Sequence, residues 1–395
     1  MKNSMPYVLI RVVIVFLLQL VPSFLSIHST LGMGLLLGLC FLLALAEYQS
    51  GGRVRLGEGA LTGILAAFLL LFGFLVLIFC LHPIAPDAVE RLVQFVAVMF
   101  VFFSAANHEW QWQDVRFLVT ALKAMCLLAL ALWPLSGFQM NYYAAFYAHS
   151  NQFGGCLLAA SVLFTLRVGK QGRREWCFLA LALFLLWISN SRSAIIGTLL
   201  VLGASLLLEN RARLFTRRAM TVCFLALVLG GVAFTLLYVH VYGTPLGVSL
   251  EMLSRRYLKK NFFSGREYIW ALTLQAIQRQ PLWGHGLQAS VEALFHVGLS
   301  GHNLYLQTAL QSGVISAVLL LAVFYAVLVR VVRERSLHVR VVFCAFLLGI
   351  VAREFFEVSM TQNNIQSGML LWFVLAQGCN ASFCGLVEKN QRLNT

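Results

Sequence analysis

The chain has 395 residues, of which 60% are hydrophobic and 11% are charged, and its formal net charge at pH 7 is +14. Soluble globular domains carry about 25% charged residues, so this composition excludes that class and predicts a membrane protein. The positive charge does not indicate nucleic-acid binding, because the arginines and lysines form short clusters between apolar runs, as cytoplasmic loops do.

Apolar stretches of about 15 to 27 residues, each suited to a membrane helix, recur along the chain. We place about twelve of them at 7–27, 31–46, 60–81, 91–106, 116–136, 153–166, 176–190, 194–208, 220–242, 303–329, 341–358 and 366–386. No small-residue cleavage site follows the first run, which favours an uncleaved helix over a signal peptide. The pattern predicts an all-α polytopic membrane protein that forms one integral domain over residues 1–395.

The basic clusters predict the topology. With the N-terminus in the cytoplasm, the dense clusters around Arg53, Lys170, Arg217 and Arg333 all fall in loops on that side, and so does the C-terminus. The exception is the polar stretch 243–302 between the ninth and tenth helices. Because long loops cross a membrane regardless of charge, we expect it outside, carrying the active site and one amphipathic helix.

That helix is predicted from Ser264 and Glu267, whose spacing resembles a capping box, and from Pro281, which must end it. It would begin at Gly265. At about 100° per residue, Arg266 falls on the apolar face at the positive end of the helix dipole. Backbone N–H groups and a guanidinium there would suit a phosphate. The alternative is an interfacial helix whose arginine reaches lipid headgroups.

Other arginines would make the external face cationic. Arg255 and Arg256 precede the amphipathic helix in the loop, and the partner that suits such a face is an anionic, lipid-linked substrate. Arg91 begins the fourth span on the same side. It is a second candidate for this substrate, although the nearby Asp87 and Glu90 favour a local ion pair instead.

Charges near mid-bilayer each need a reason, because even lenient insertion scales give a cost of about 3 kcal/mol. Arg192 lies in the polar break 189–193, a tight external turn, where it is either a snorkelling side chain or a phosphate contact. Arg353 and Glu357 are four residues apart in the eleventh span. They form either a buried salt bridge that neutralises itself, or a site where the carboxylate orients a catalytic group.

Histidine 302 is the strongest candidate among the nine histidines. His302 lies between Gly301 and Asn303 at the entry of the tenth span, where a neutral imidazole could face a cavity. An ordinary helix-entry residue is the alternative. His285 and the segment 149–151 are weaker candidates on the same side.

Five motifs resemble the O-antigen ligase and polysaccharide polymerase superfamily of bacterial inner membranes. The motifs are SGREYIW at 264–270, PLWGHG at 281–286, GHNLYLQTALQSG at 301–313 and, less specifically, SRSA at 191–194 and HSNQFGG at 149–155. Members often carry an acidic residue where Gln311 stands and a second glycine near Ser316. These departures concern helix packing more than chemistry.

The resemblance implies an enzyme in the bacterial inner membrane that transfers a glycan from undecaprenyl diphosphate to a sugar hydroxyl on the periplasmic side. Residue by residue, it implies catalytic roles for Arg192, Arg266 and His302. The predicted substrate-binding residues around them are Arg91, Ser264, Gly265, Asn303, Arg255 and Arg256. The predicted partners are the lipid-linked donor, a lipid A-core acceptor or a second lipid-linked glycan, and membrane lipid, without nucleic acid.

No cofactor or metal is predicted. The only two aspartates, Asp87 and Asp114, form no Asp-x-Asp pair, and the nine cysteines all lie in apolar segments, so carboxylate and thiolate metal sites are both disfavoured. The preferred hypothesis is an inverting O-antigen ligase. A polymerase of the same superfamily is the close alternative. A twelve-helix transporter is less favoured, because its main hydrophilic loop would be cytoplasmic.

Overall fold

The computed structural model describes residues 38, 40–42, 59–166, 172–207, 211–258, 261–297, 301–362 and 365–392. In these residues the regular structure is entirely helical, as predicted. The α-helices are α1 (Gly59–Leu81), α2 (Pro86–Asn107), α3 (Trp112–Leu132), α4 (Ser150–Thr165), α5 (Gly172–Ser189), α6 (Arg192–Leu207), α7 (Arg217–Val241), α8 (Pro245–Leu253), α9 (Arg266–Arg279), α10 (Val291–Phe295), α11 (Leu304–Val331), α12 (Leu337–Arg353), α13 (Ile365–Gln377) and α14 (Ala381–Arg392).

Five helices in the described part are long and apolar enough to cross a membrane, namely α1, α2, α3, α7 and α11. A sixth crossing is possible if α13 and α14 together make one bent span, and α5 and α6 are shorter apolar helices. The first predicted span, 7–27, and most of the second, 31–46, lie outside the described residues. The number of about twelve spans therefore stays a prediction.

The last predicted span, 366–386, covers two helices and not one. Helix α13 ends at Gln377, α14 begins at Ala381, and the two are bent by 69°. Asn380 stabilises the bend: its Oδ1 accepts a hydrogen bond from Phe383 N at 2.9 Å, while its Nδ2 donates to three carbonyl groups at the end of α2. These contacts are tertiary, so hydropathy alone does not show them.

Aromatic side chains form the centre of the helix bundle. Trp372 of α13 is fully buried and contacts Phe68 of α1, Phe102 of α2 and Phe324 of α11, with ring centroids 5.3–5.6 Å apart. Aromatic pairs at such distances contribute about 0.5–1.5 kcal/mol beyond their buried area. This cluster packs the second half of α11 against α1, α2 and α13. It therefore positions the helix whose first residues follow His302.

Helix α11 is broken in its first half, at Ser312 and Gly313, which have non-helical φ/ψ angles. The segment 281–286, which carries the PLWGHG motif, fills the break and supplies partners for the freed backbone groups. The hydrogen bonds are His285 N to Leu310 O at 2.9 Å, Gly286 N to Gln311 O at 3.0 Å and Val314 N to Pro281 O at 2.8 Å. Freed backbone groups in a membrane protein need such internal partners.

Two glycines make this close approach possible. Gly313 has φ of 80°, and a Cβ there would collide with the carbonyl of Leu282. Gly284 has φ of 67°, and its Cβ would lie 2.5 Å from the carbonyl of Gln311. Only glycine fits both positions without strain. The PLWGHG motif therefore has a structural role, since it joins the loop to α11.

The two departures from the superfamily pattern are both hydrogen-bonded. Gln311 exchanges two hydrogen bonds with Gln362, at 2.9 and 3.1 Å. Ser316 lies 2.6 Å from Ser312, oxygen to oxygen, beside the helix break. Buried polar side chains at these positions are thus satisfied, and α11 packs in spite of the substitutions.

Candidate active site

Helix α9 begins one residue later than predicted. Its N-cap is Gly265, with φ of 87°, so Ser264 is not the capping residue. Glu267 does reach back as a capping box requires, since its carboxylate accepts hydrogen bonds from Ser264 N at 3.2 Å and Gly265 N at 3.1 Å. The left-handed backbone suits glycine and presents no side-chain oxygen, which is why the carboxylate takes over the cap.

Glu267 is buried. Its Oε2 also accepts a hydrogen bond from the Tyr238 hydroxyl of α7 at 3.3 Å. The helix ends at Arg279, before Pro281, as predicted. The contact between α7 and the loop therefore fixes the start of α9, and with it the side chain of Arg266.

Arg266 is partly buried, as its position on the apolar face predicted. Its side chain is 27% exposed, and its guanidinium lies 5.9 Å from the centroid of the Phe356 ring. One guanidinium nitrogen is 4.0 Å from a carboxylate oxygen of Glu357. The arginine therefore has a carboxylate on one side and an open side that an anion can approach.

The prediction that Glu357 pairs with Arg353 along one helix is wrong, because α12 ends at Arg353. Arg353 instead pairs with the adjacent Glu354 at 2.6 Å, and both side chains are fully buried. Glu357 lies in the connection to α13, 2% exposed, where its Oε1 accepts a hydrogen bond from the Asn151 amide at 2.6 Å. Within the described residues, the Oε2 atom of Glu357 has no hydrogen-bond partner.

Burial raises the pKa of Glu357 from 4.5 to about 7, while the positive charges of Arg353 and then Arg266 partly offset the rise. Removing a carboxylate from water disfavours its charged form, and an arginine nearby favours it. At neutral pH the carboxyl group can therefore gain or lose a proton readily. The attraction between Glu357 and Arg266 can therefore change, because a second anion beside the arginine would favour the protonated, neutral form of Glu357.

A network around Arg353 joins three parts of the chain. The Arg353 guanidinium donates to the backbone oxygen of Asn151 at 3.3 Å, near the start of α4. The backbone oxygen of Glu354 accepts from Leu304 N, the first residue of α11, at 2.9 Å. The starts of α4 and α11 are thus fixed to the segment that carries Glu357.

His302 lies immediately before α11 in a left-handed conformation, with φ of 43°. Its neighbours fix that backbone: the Trp270 indole donates to Gly301 O at 2.9 Å, and Asn303 Oδ1 accepts from Tyr305 N and Leu306 N as the N-cap of α11. A left-handed histidine persists only where its surroundings determine it. The buried Asn303 thus positions His302.

The surroundings of His302 lower its pKa below the ordinary 6.5, mainly by burial and then through the charges of Arg266 and His149. Each of these causes disfavours the imidazolium form. The ring is therefore neutral at pH 7 and can accept a proton. The hydrogen bond from Trp270, one turn after Arg266 on α9, to Gly301 O holds the helix of Arg266 against the segment that carries His302.

Arg192 is the exposed first residue of α6. The preceding Ser191 packs so closely on Gly154 that a Cβ there would collide with it. Gly154 lies three residues after Asn151, one turn into α4. Arg192 is therefore at the same end of the bundle as Asn151, with its side chain directed outward.

Arg91 lies in a different place. It lines a cavity of about 430 Å³, including the space open to solvent, with Leu75, Phe95, Leu287, Gln311, Ser312 and Gln362 among the other lining residues. Its guanidinium donates to Gln94 at 3.1 Å, and Gln94 donates to Glu90 at 2.7 Å. The cavity adjoins the break in α11, away from the first residues of that helix.

The remaining predicted substrate contacts are on the outside of the loop. Arg255 and Arg256 are exposed, the first paired with Glu251 at 2.7 Å and the second 5.7 Å from the centroid of the Tyr257 ring. Ser264 is exposed beside the cap of α9. Neither arginine is among the groups around His302 and Glu357 described above.

The sequence alone did not assign a role to Glu357 or to Asn151. Asn151 is 206 residues from Glu357 along the chain, so no local pattern links the two. A signal was present for Glu357, because three ionisable residues at the end of an apolar segment mark a functional position more often than a structural one. Together these groups offer a guanidinium for an anion, a neutral imidazole for a proton and a carboxyl group that can change charge.

The sequence model of the O-antigen ligase family matches residues 177–321, just over a third of the chain. The matched range runs from α5 into α11 and contains Arg192, Arg266 and His302, whereas Asn151 and Glu357 lie outside it. No curated protein matches the chain. The family match, together with the membrane-type helices, supports the resemblance to the O-antigen ligase superfamily that the motifs indicate.

Proposed function

We propose that the protein is a membrane glycosyltransferase of the O-antigen ligase type. It moves a glycan from undecaprenyl diphosphate to a sugar hydroxyl of the lipid A-core, on the periplasmic side of the bacterial inner membrane, in an inverting reaction that needs no metal ion. The family match supports the reaction class. The observation that carries the proposal is the hydrogen bond from the Trp270 indole to Gly301 O, which joins the helix of Arg266 to the segment of His302 and so combines an anion-binding group with a proton acceptor.

In the proposed reaction, the acceptor oxygen bonds to the anomeric carbon of the donor sugar while the bond from that carbon to the diphosphate breaks. Arg266, with Arg192 on the same end of the bundle, stabilises the negative charge that grows on the diphosphate. Electrostatic stabilisation of this kind is usually the largest contribution to catalysis. Only one displacement occurs, so the configuration at the anomeric carbon inverts.

His302 takes the proton of the acceptor hydroxyl. Its lowered pKa supports this role, because the ring is neutral when the acceptor arrives. Glu357 holds Arg266 at 4.0 Å before the donor binds. When the diphosphate reaches the arginine, the added negative charge favours protonation of Glu357, whose pKa of about 7 makes this change easy.

The topology belongs to the same proposal: about twelve spans, cytoplasmic termini and a periplasmic loop at 243–302. The excess of basic residues in the other loops supports it. Gln278 is exposed on α9, so a cysteine placed there should react with an impermeant maleimide in intact spheroplasts. Labelling only after lysis would contradict the orientation.

The function is tested with lipopolysaccharide from a deletion strain. A ligase predicts a core without polymer, together with polymer that accumulates on the polyprenyl lipid. A core that carries a single repeat would instead show the polymerase, whose acceptor is a second lipid-linked glycan. In purified protein, transfer should survive EDTA; a complete loss that added metal restores would contradict the metal-free reaction. Flux in vesicles without a lipid-linked donor would indicate a transporter.

A further inference from the structure

Helix α8 leaves the membrane-crossing helix α7 through a sharp turn. The connection is residues 242–244, and the Thr244 hydroxyl caps α8 by accepting a hydrogen bond from Gly247 N at 3.2 Å. Gly247 is buried, and a Cβ there would collide with the backbone oxygen of Val241 at the end of α7. The chain therefore folds back at this point, and α8 does not continue the path of α7.

The outward face of α8 is apolar, which is the reverse of a helix that faces water. Its exposed large side chains are Leu246 (58%), Val248 (54%), Met252 (60%) and Leu253 (51%). The one charged residue of α8, Glu251, faces the protein, where its carboxylate accepts hydrogen bonds from the backbone N–H groups of residues 262 and 263 at 2.8 and 3.0 Å. The side of α8 that points away from the protein thus matches apolar surroundings.

Polar aromatic and basic residues flank this face. Tyr242 and Tyr257 are 54% and 70% exposed, and Arg255 and Arg256 follow α8 directly, with the guanidinium of Arg256 near the Tyr257 ring. Tyrosine is enriched where hydrocarbon meets headgroups, and arginine extends from that level to lipid phosphates. An apolar helix face flanked by tyrosines and arginines is therefore the arrangement expected of a segment that lies at a membrane interface.

We propose that residues 242–257 form an interfacial lipid anchor. The apolar face of α8 lies in the outer part of the hydrocarbon layer, and Arg255 and Arg256 bind the phosphate groups of anionic lipids. Helix α7 is continuous with this surface: its large side chains Leu229, Leu236 and Leu237 are 50–68% exposed, so the lipid around α7 extends to α8. The two arginines then contact bulk lipid, whereas the sequence alone placed them on the glycan donor.

The anchor explains how the loop keeps its place above the membrane. Glu251 joins α8 to residues 262 and 263, which directly precede Ser264 and the start of α9. A fixed depth for α8 therefore fixes the height of Arg266 relative to the headgroups. This inference requires only that the chain is a membrane protein, and it holds whether or not the proposed transfer reaction is correct.

Photo-crosslinking tests the anchor directly. The probe p-benzoylphenylalanine is placed at Met252, or at the exposed Gln278 of α9 as a control, and the full-length protein is irradiated in nanodiscs without any lipid-linked donor. Mass spectrometry should find phospholipid attached at position 252 at least several-fold more often than at 278. Equal lipid attachment at both positions, or attachment at 252 mainly to a second copy of the chain, would overturn the proposal.

A second comparison tests the arginines. Nanodiscs of phosphatidylcholine are compared with nanodiscs containing phosphatidylglycerol, and attachment to the anionic lipid should exceed its share of the bilayer. Each interfacial arginine strengthens such binding about fivefold, so the Arg255→Gln/Arg256→Gln protein should lose most of the preference. A preference that stays unchanged in this variant would refute headgroup binding by the two arginines, and the absence of donor from the discs excludes the donor phosphate as its source.

Discussion

The role of His302 as proton acceptor gives the sharpest test of the proposed reaction. Replacing it by Asn removes the basic ring nitrogen and keeps a hydrogen-bonding side chain. Asn also suits the backbone, since His302 has φ of 43° and Asn, like His, is enriched in the left-handed region. We therefore prefer His302→Asn to the longer His302→Gln, whose loss of activity could reflect strain at this position.

The expected size of the effect follows from general-base catalysis, which contributes about 10²- to 10⁴-fold. A loss in this range corresponds to about 3–5 kcal/mol of transition-state stabilisation. In the wild type, transfer attributable to His302 should fall as pH drops through its pKa, because the imidazolium cannot accept a proton. Burial and Arg266 lower that pKa, so this loss lies below pH 6.5, and it should disappear in His302→Asn.

The assay is donor turnover against pH in nanodiscs, with a separate measurement of donor binding. His296 provides a matched control, because it is exposed in the same loop with φ of 55°, and His296→Asn should keep wild-type turnover. Donor binding by His302→Asn should also stay close to the wild type. If His302→Asn keeps more than about a tenth of the wild-type rate, proton abstraction by this residue is refuted.

Three further predictions concern the surrounding residues. Arg266→Lys keeps the charge and loses the guanidinium fork, so turnover should fall about 10- to 100-fold at normal protein level, whereas Arg279→Lys at the other end of α9 should change little. Glu357→Gln, which cannot ionise, should remove the fall in turnover that we expect of the wild type as pH increases through about 7, where the carboxylate forms and competes with the diphosphate for Arg266; an unchanged pH profile would contradict its role. Gly313→Ala should lower the melting temperature in detergent, because a Cβ would collide with the segment inserted into α11. An equal melting temperature would contradict that packing.

The sequence by itself determined the class of the protein and the main candidates. Membrane segments, helix caps and helix-ending prolines act over a few residues, so apolar length and the spacing from Glu267 to Pro281 predicted the membrane helices and the extent of α9. Arg266 and His302 stood out for the same reason, since each lies beside a local signal for the start of a helix.

Only the tertiary structure decided which groups meet. Glu357 lies beyond the end of α12, where it is 4.0 Å from Arg266, while Arg353 pairs with Glu354, and Asn151 reaches Glu357 across 206 residues of sequence. Arg91 lines a cavity beside the break in α11, away from His302. The apolar face of α8 is exposed, whereas its Glu251 faces the protein. Such contacts depend on helix packing, which is a through-space property. Residues far apart in sequence acquire their partners and their pKa only when the bundle is assembled.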